Sequence, residues 1–291
     1  MLISYSCPSC GCEHSEKVEV DEEFFNRFAY NRHTDPSKSM LLPITYQCNE
    51  TCRLCYAPKG DHRSVEWCLE QAAAHKSRRV FLSGGEPTIH PQLFDIISGM
   101  PNFSTILTNG KAFADEKFLN EYIAVAPPKD RMLRACVSIH VNMPDYKHQM
   151  IDNVRRAGLF LDTAMFSIID INELDELIDV WQRNRDVMPI IRIRTPFNSW
   201  KQSAEKTLFL SQVYNEFMKK VPTAQVIDAL GGNSIFNVNL ASGNNIISLC
   251  SAPSPTAMDI DACKNAPYSL AENGKIYPVP VAWVVNEYTI C

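Results

Sequence analysis

A chain of 291 residues, 45% of them hydrophobic, can bury a large core and suits one barrel-sized domain with appendages better than two independent domains. Its net charge of −5 leaves no basic footprint, which argues against general nucleic-acid binding and against an anionic membrane surface, and favours a small partner. No run approaches the ~18 consecutive apolar residues of a membrane span. The start, Met1-Leu2-Ile3-Ser4-Tyr5, lacks the charged region and apolar run of a signal peptide, so the 11 cysteines are expected in a reducing, cytoplasmic compartment rather than in disulfides.

In chain order, residues 1–39 read as an N-terminal cap holding Cys7-Pro8-Ser9-Cys10-Gly11-Cys12, a knuckle-like turn that supplies half of a metal site. From about Met40 short apolar runs alternate with longer amphipathic stretches, the pattern of βα units around a parallel sheet. Strands are expected at Leu41–Tyr46, Arg79–Ser83, Ser104–Thr108, Arg134–Val141, Leu159–Ile168 and Ile190–Thr195. Helices are expected at Ser64–Lys76, Pro91–Ser98, Ala114–Val125, Tyr146–Ala157, Asn172–Arg185 and Ser203–Lys219, several opened by a Ser, Asn or Pro suited to a first turn. Six units are too few for a closed barrel of about eight strands. The fold class is therefore α/β, a partial (β/α)6 TIM-like barrel over residues 40–221 with small Cys-containing caps at 1–39 and 222–291. In such folds the chemistry sits just after the strands.

Directly after the first strand, Cys48-Asn49-Glu50-Thr51-Cys52-Arg53-Leu54-Cys55 gives three thiolates at C-x3-C-x2-C spacing. Thiolates are soft ligands suited to iron–sulfur clusters, and so short a loop can wrap three corners of one cubane, leaving an iron open. The alternatives are a zinc site, for which His62 is near enough in sequence to be a fourth ligand, and ordinary buried cysteines. After the second strand stands Ser83-Gly84-Gly85-Glu86-Pro87, where two glycines let backbone approach a ligand and Glu86 can accept charge-assisted hydrogen bonds from an ammonium. After the third comes Leu107-Thr108-Asn109-Gly110, in which Asn-Gly is also a common turn by itself. On the fourth, Ser138 and His140 share a face; on the sixth, Arg192 and Arg194 do, either as an inward anion clamp or as a solvent-facing edge. Cys68 and Cys136 fit small buried hydrophobes in a helix and a strand.

With these motifs in register, residues 41–195 resemble the radical S-adenosylmethionine (SAM) superfamily. The resemblance implies a [4Fe-4S] cluster on Cys48, Cys52 and Cys55, with SAM on the unique iron. It further implies SAM contacts from Gly84, Gly85, Glu86 and Pro87, with the methionine amino group on Glu86, and from Thr108, Asn109, Ser138 and the backbone of Tyr56. A reductant such as flavodoxin or ferredoxin would feed the cluster, and reductive cleavage of SAM would give a 5′-deoxyadenosyl radical that takes a hydrogen from a peptide, lipid or small-molecule substrate. Beside that centre, His140 is a candidate proton donor or acceptor, and Arg192 and Arg194 are candidates for holding a substrate or SAM carboxylate. Aminocarboxypropyl transfer by a different SAM cleavage, and a non-catalytic zinc-binding interaction protein, are the rival readings.

The C-terminal stretch from Cys263 to Val279 is similar to the SPASM/twitch-type auxiliary-cluster hairpin, with Val279 where a second cysteine is expected. Together with the N-terminal knuckle it resembles members related to tetraether-lipid synthases. That resemblance implies one zinc or iron site on Cys7, Cys10, Cys250 and Cys263, with Cys12 or Cys291 as substitute ligands and separate reduced cysteines as the alternative.

Overall fold

The computed structural model describes residues 2–6, 13–17, 39–52, 60–139, 144–168, 170–195, 210–232, 235–251, 268–270 and 276–278. The chain divides into two compact units. One comprises Asp35–Ala164 with Pro267–Pro278; the other comprises Met1–Thr34, Met165–Ala266 and Val279–Cys291.

All six expected βα pairs are present in chain order. Strands β1 (Leu2–Ser6) and β2 (Glu13–Lys17) come first and pair antiparallel. Then follow β3 (Ser39–Thr45) and α1 (Val65–Ala74), β4 (Arg79–Gly84) and α2 (Leu93–Ser98), β5 (Phe103–Thr108) and α3 (Glu116–Val125). They continue with β6 (Met132–Ile139) and α4 (Asp145–Arg156), β7 (Phe160–Ser167) and α5 (Glu173–Arg183), β8 (Ile190–Thr195) and α6 (Leu210–Lys220). Strands β9 (Gln225–Gly232), β10 (Ile235–Ser242), β11 (Asn245–Ser251), β12 (Tyr268–Leu270) and β13 (Ile276–Pro278) complete the chain. The α/β class read from the sequence is the class observed.

In the first unit β3, β4, β5 and β6 pair parallel in sequence order, and β12 adds to the outer edge of β3 through Ser269 and Leu41. Parallel strands covered on both faces read as continuous apolar runs, and β4 does: Val80, Phe81 and Leu82 are all buried. Pro43 cannot donate to a sheet ladder, and the β3–β4 register shifts between Pro43 and Thr45. Two helix starts are set by short side chains: Ser64 Oγ accepts from Trp67 N at 3.2 Å, and Asp115 Oδ1 accepts from Lys117 N at 2.9 Å. Aromatic packing centres on Phe113, edge-to-face with Tyr122 at 5.0 Å and tilted against Phe118 at 5.9 Å.

In the second unit β11 pairs parallel with β8, while β10 pairs antiparallel with both β11 and β9. Trp181 of α5 is fully buried and packs on Phe217 of α6, with ring centroids 6.1 Å apart. Full burial of one such side chain contributes on the order of 2–3 kcal/mol.

Cys68 and Cys136 are buried as their patterns imply. Burial pushes the Cys68 thiol up to about 12, so it stays protonated and inert. Cys136 has polar company: its thiol lies 3.7 Å from Asp162 Oδ2 and 3.9 Å from Thr105 Oγ1. Among the described residues no helix is long and apolar enough to cross a membrane.

Candidate active site

Because β3 to β6 run parallel, their C-terminal ends share one edge, and the loops that follow them are neighbours. The loop after β3 carries Cys48, which is exposed, and Cys52, which is half-buried. Its base is closed by backbone bonds, Tyr46 N to Asp61 O at 3.2 Å and Arg63 N to Ile44 O at 2.9 Å. Thr45 Oγ1 meets His62 Nδ1 at 2.8 Å, so one ring nitrogen of His62 is already engaged inside the fold.

The turn after β4 is fastened to that loop by backbone. Gly85 N donates to Thr45 O and Glu86 N to Gln47 O, each at 2.8 Å. A Cβ on Gly84 would fall 1.9 Å from Thr45 O, at φ +134°, and one on Gly85 would fall 2.1 Å from Gln47 O. Both glycines let the backbone approach the neighbouring strand end and loop closely, which fastens the Glu86 turn to Gln47, the residue before Cys48.

Glu86 is buried, with 1% of its surface exposed. Its Oε1 accepts from Thr88 N at 3.0 Å, Thr88 Oγ1 at 2.5 Å and Thr108 Oγ1 at 2.7 Å. Its Oε2 accepts from Asn109 N at 2.7 Å, and among the described residues that is its one donor. Among the described residues each of these donors is neutral, so the bonds bring no counter-charge to the carboxyl group, and Oε2 has lone-pair capacity beyond the one N–H it takes. Thr108 relays the set, because its hydroxyl also accepts from Gly110 N at 2.9 Å.

The turn after β5 reaches back to the cysteine loop. Asn109 Nδ2 donates to Asn49 Oδ1 at 2.8 Å, and Lys111 Nζ pairs with Glu50 Oε1 at 2.9 Å. Asn109 Oδ1 meanwhile accepts from Lys111 N at 2.9 Å, so one end of its amide shapes its own turn while the other holds the cysteine loop. Gly110, at φ +76°, stands where a Cβ would meet Val137 Cγ1 at 2.7 Å.

Opposite these loops stands the start of α4. The Tyr146 ring has Lys111 Nζ 5.4 Å and Lys147 Nζ 5.2 Å from its centroid. Burial, with help from Glu50, Cys52, Glu86 and Cys48, pushes the Tyr146 phenol up to about 12. Lys147 has no exposed surface and donates to the carbonyls of Asn109 and Ser138. Burial lowers its ammonium to about 8, against the pull of Glu86, Cys52 and Glu50.

The structure thus brings together Cys48, Cys52, Gly84, Gly85, Glu86, Pro87, Thr108, Asn109 and the carbonyl of Ser138 in one unit. Arg192 and Arg194 belong to the other unit. Arg192 is buried at 1% exposure, and Arg194 is half-buried with Nε and Nη2 at 3.4 and 3.3 Å from Ser167 Oγ. Cys250 lies in β11, opposite Asn237 of β10. Cys7, Cys10, Cys12, Cys55, Tyr56, His140, Cys263 and Cys291 lie outside the described residues. Sequence reasoning missed Thr88, Asn49, Lys111 and Lys147. For Lys147 a signal existed, since it shares a helical face with Met150, Ile151 and Val154, all buried.

No family model matches the chain. Over 90 residues, 28% of this chain and 30% of the other, it is 30% identical to a probable GTP 3′,8-cyclase from Archaeoglobus fulgidus. Among solved structures, Streptococcus suis SuiB bound to precursor peptide SuiA matches with a TM-score of 0.50 at 12% identity, covering 75% of this chain and 56% of SuiB. SuiB bound to S-adenosylmethionine gives a TM-score of 0.47 at 12% identity, over 74% and 54% of the two chains. The peptide-bound comparison shows a common fold. The chain spans little more than half of SuiB and less than a third of the cyclase.

Proposed function

We propose that this chain is a radical SAM enzyme, with a [4Fe-4S] cluster on Cys48, Cys52 and Cys55 and SAM held at the open iron by the Glu86 turn. The carrying observation is the Glu86 carboxylate: buried and, among the described residues, bonded by neutral donors alone, with a single N–H on Oε2. A primary ammonium beside a loop of soft thiolates answers that arrangement, and the α-amino group of SAM is one. When bound, the cluster and SAM together supply reductive cleavage of a carbon–sulfur bond and hydrogen abstraction from substrate.

The chain's own residues then orient and exclude. Glu86 fixes the amino-acid end, Thr108 and Thr88 fix Glu86, and the Asn49–Asn109 and Glu50–Lys111 contacts hold the cysteine loop against the same turn. We extend the reading to a peptide substrate, on the fold shared with SuiB, which is described bound to its precursor peptide.

The test is anaerobic reconstitution with iron and sulfide. The expected result is about four iron atoms per chain, dithionite-dependent 5′-deoxyadenosine, and loss of both in Cys48→Ala. Methylthioadenosine in place of deoxyadenosine would move the reading to aminocarboxypropyl transfer. Zinc alone at the triplet, with no affinity for SAM, would overturn it.

A further inference from the structure

Lys147 stands in the first turn of α4, on the stripe that also buries Met150, Ile151 and Val154, and none of its surface is exposed. Two physical terms oppose an ammonium there: burial strips its water, and the positive end of the helix dipole lies at the same terminus, although a four-carbon stem is long enough to carry a charge outward to solvent. Its hydrogen bonds go to the carbonyls of Asn109, in the turn after β5, and of Ser138, near the end of β6, rather than to a carboxylate. Two carbonyls can be satisfied by any neutral donor, so tying the strand ends does not by itself call for a charge. What the charge adds is its field, and the bonds that run from Lys147 to the Asn109 turn, and from that turn to Glu86 and to Asn49 of the cysteine loop, place that carboxyl group and that loop within its reach.

We propose that Lys147 is a positioning residue whose buried ammonium fixes the turn after β5, which bonds Glu86, against the end of β6 and makes electron entry at the cysteine loop easier. This rests on the cluster reading. A cluster held by three thiolates gains one more negative charge on reduction. A cation fixed nearby in a low-dielectric surrounding stabilises that reduced state more than the oxidised one. Through the Asn109 carbonyl the same ammonium holds the turn whose amide reaches Glu86, so the geometry of the SAM amino site depends on it as well.

Two variants separate charge from tether. Lys147→Gln keeps an N–H donor and drops the charge; Lys147→Met drops both. In reconstituted protein the midpoint potential, read by EPR-monitored titration, is expected to move to more negative values in both variants at unchanged iron content. SAM affinity, read by calorimetry, is expected to weaken by about tenfold in Lys147→Met, about 1.4 kcal/mol. In the metal-free chain, amide exchange at Gly110 and Lys111 should quicken in Lys147→Met and less in Lys147→Gln. Potentials equal to wild type in both variants would overturn the proposal, whatever happens to the melting temperature. So would failure of both variants to hold iron, because Lys147 would then be a folding residue. A wild-type chain that takes up no iron sinks the enzyme reading and this one together, whereas a loaded wild type with unshifted variants sinks this one alone.

Discussion

Glu86 shows how much one side chain can be made to depend on its neighbours. Among the described residues, four neutral donors hold its two oxygens unequally, three on Oε1 and one on Oε2. In Glu86→Gln one oxygen becomes an NH2 group. Placed at Oε2, that group confronts the Asn109 N–H donor to donor; placed at Oε1, it confronts the Thr88 N–H, while the two threonine hydroxyls can turn to accept from it. Either way a buried donor is left unpaired, and the expected loss in urea unfolding of the metal-free chain is about 1–3 kcal/mol. On the proposed function, the same variant should weaken SAM binding by the loaded protein well beyond tenfold by calorimetry, since the anion assigned to the ammonium is gone. A variant as stable as wild type that bound SAM normally would remove Glu86 from the site. The Glu-Pro pair was legible in the sequence as an acidic turn; its bonds to Thr88 and Thr108 were not, because nothing in local spacing announces that two threonines 20 residues apart converge on one oxygen.

At the scale of elements, the loops are braced by side chains from helices that sequence patterning treats simply as an outer layer. Asn153 of α4 is buried, and its Nδ2 donates to Phe113 O at 3.0 Å and Ala114 O at 2.8 Å. Those carbonyls belong to the 3₁₀ turn Lys111–Ala114, which follows directly on the Asn109-Gly110 turn. Asn153→Ala would leave both without a side-chain donor, at an expected cost of about 1–3 kcal/mol in urea unfolding, with faster amide exchange across residues 110–114. No change in that segment would mean that the turn is held by its own backbone. The elements themselves were largely legible. The strand expected at Ile190–Thr195 is found there, and most helix limits differ from expectation by one to three residues, the usual reach of frayed ends. Strands β9 to β11 were read as part of an irregular cap, since turn-rich composition hides a hairpin whose pairing partner, β8, lies far back in sequence. On α4 the apolar stripe was legible, and Lys147 within it was passed over because a lysine ordinarily carries its charge out to water.

For the molecule as a whole, acid should find a weak point at His90. Its Nδ1 accepts from Gln92 N at 3.1 Å, which fixes the neutral tautomer and leaves Nε2 to donate to Arg63 O at 2.8 Å. Burial lowers the imidazole below its usual 6.5, with His62 adding to the effect and the Arg63 carbonyl opposing it. As the pH falls below 6.5 the unfolded chain takes up this proton before the folded chain does. The stability it supports is therefore complete above about 6.5 and is lost as the pH drops towards the folded value. Urea midpoints of the metal-free chain at pH 7.5 and 5.5 should differ, and the difference should shrink in His90→Asn. An undiminished difference would assign the acid sensitivity to other groups.

The α/β class, the six alternating units and the three turns that the parallel strands gather at one edge were legible in the sequence, because apolar periodicity and Gly, Asn and Cys spacing are local properties that a linear reading can see. Only the assembled chain shows that Gly84 and Gly85 press against the backbone of Thr45 and Gln47, that Glu86 Oε2 takes a single N–H from the described residues, and that Lys147 of α4 ties the turn after β5 to the end of β6. Those facts depend on strand ends brought side by side from distant parts of the chain, and hydrogen bonds between them follow from the parallel register rather than from any neighbour in sequence.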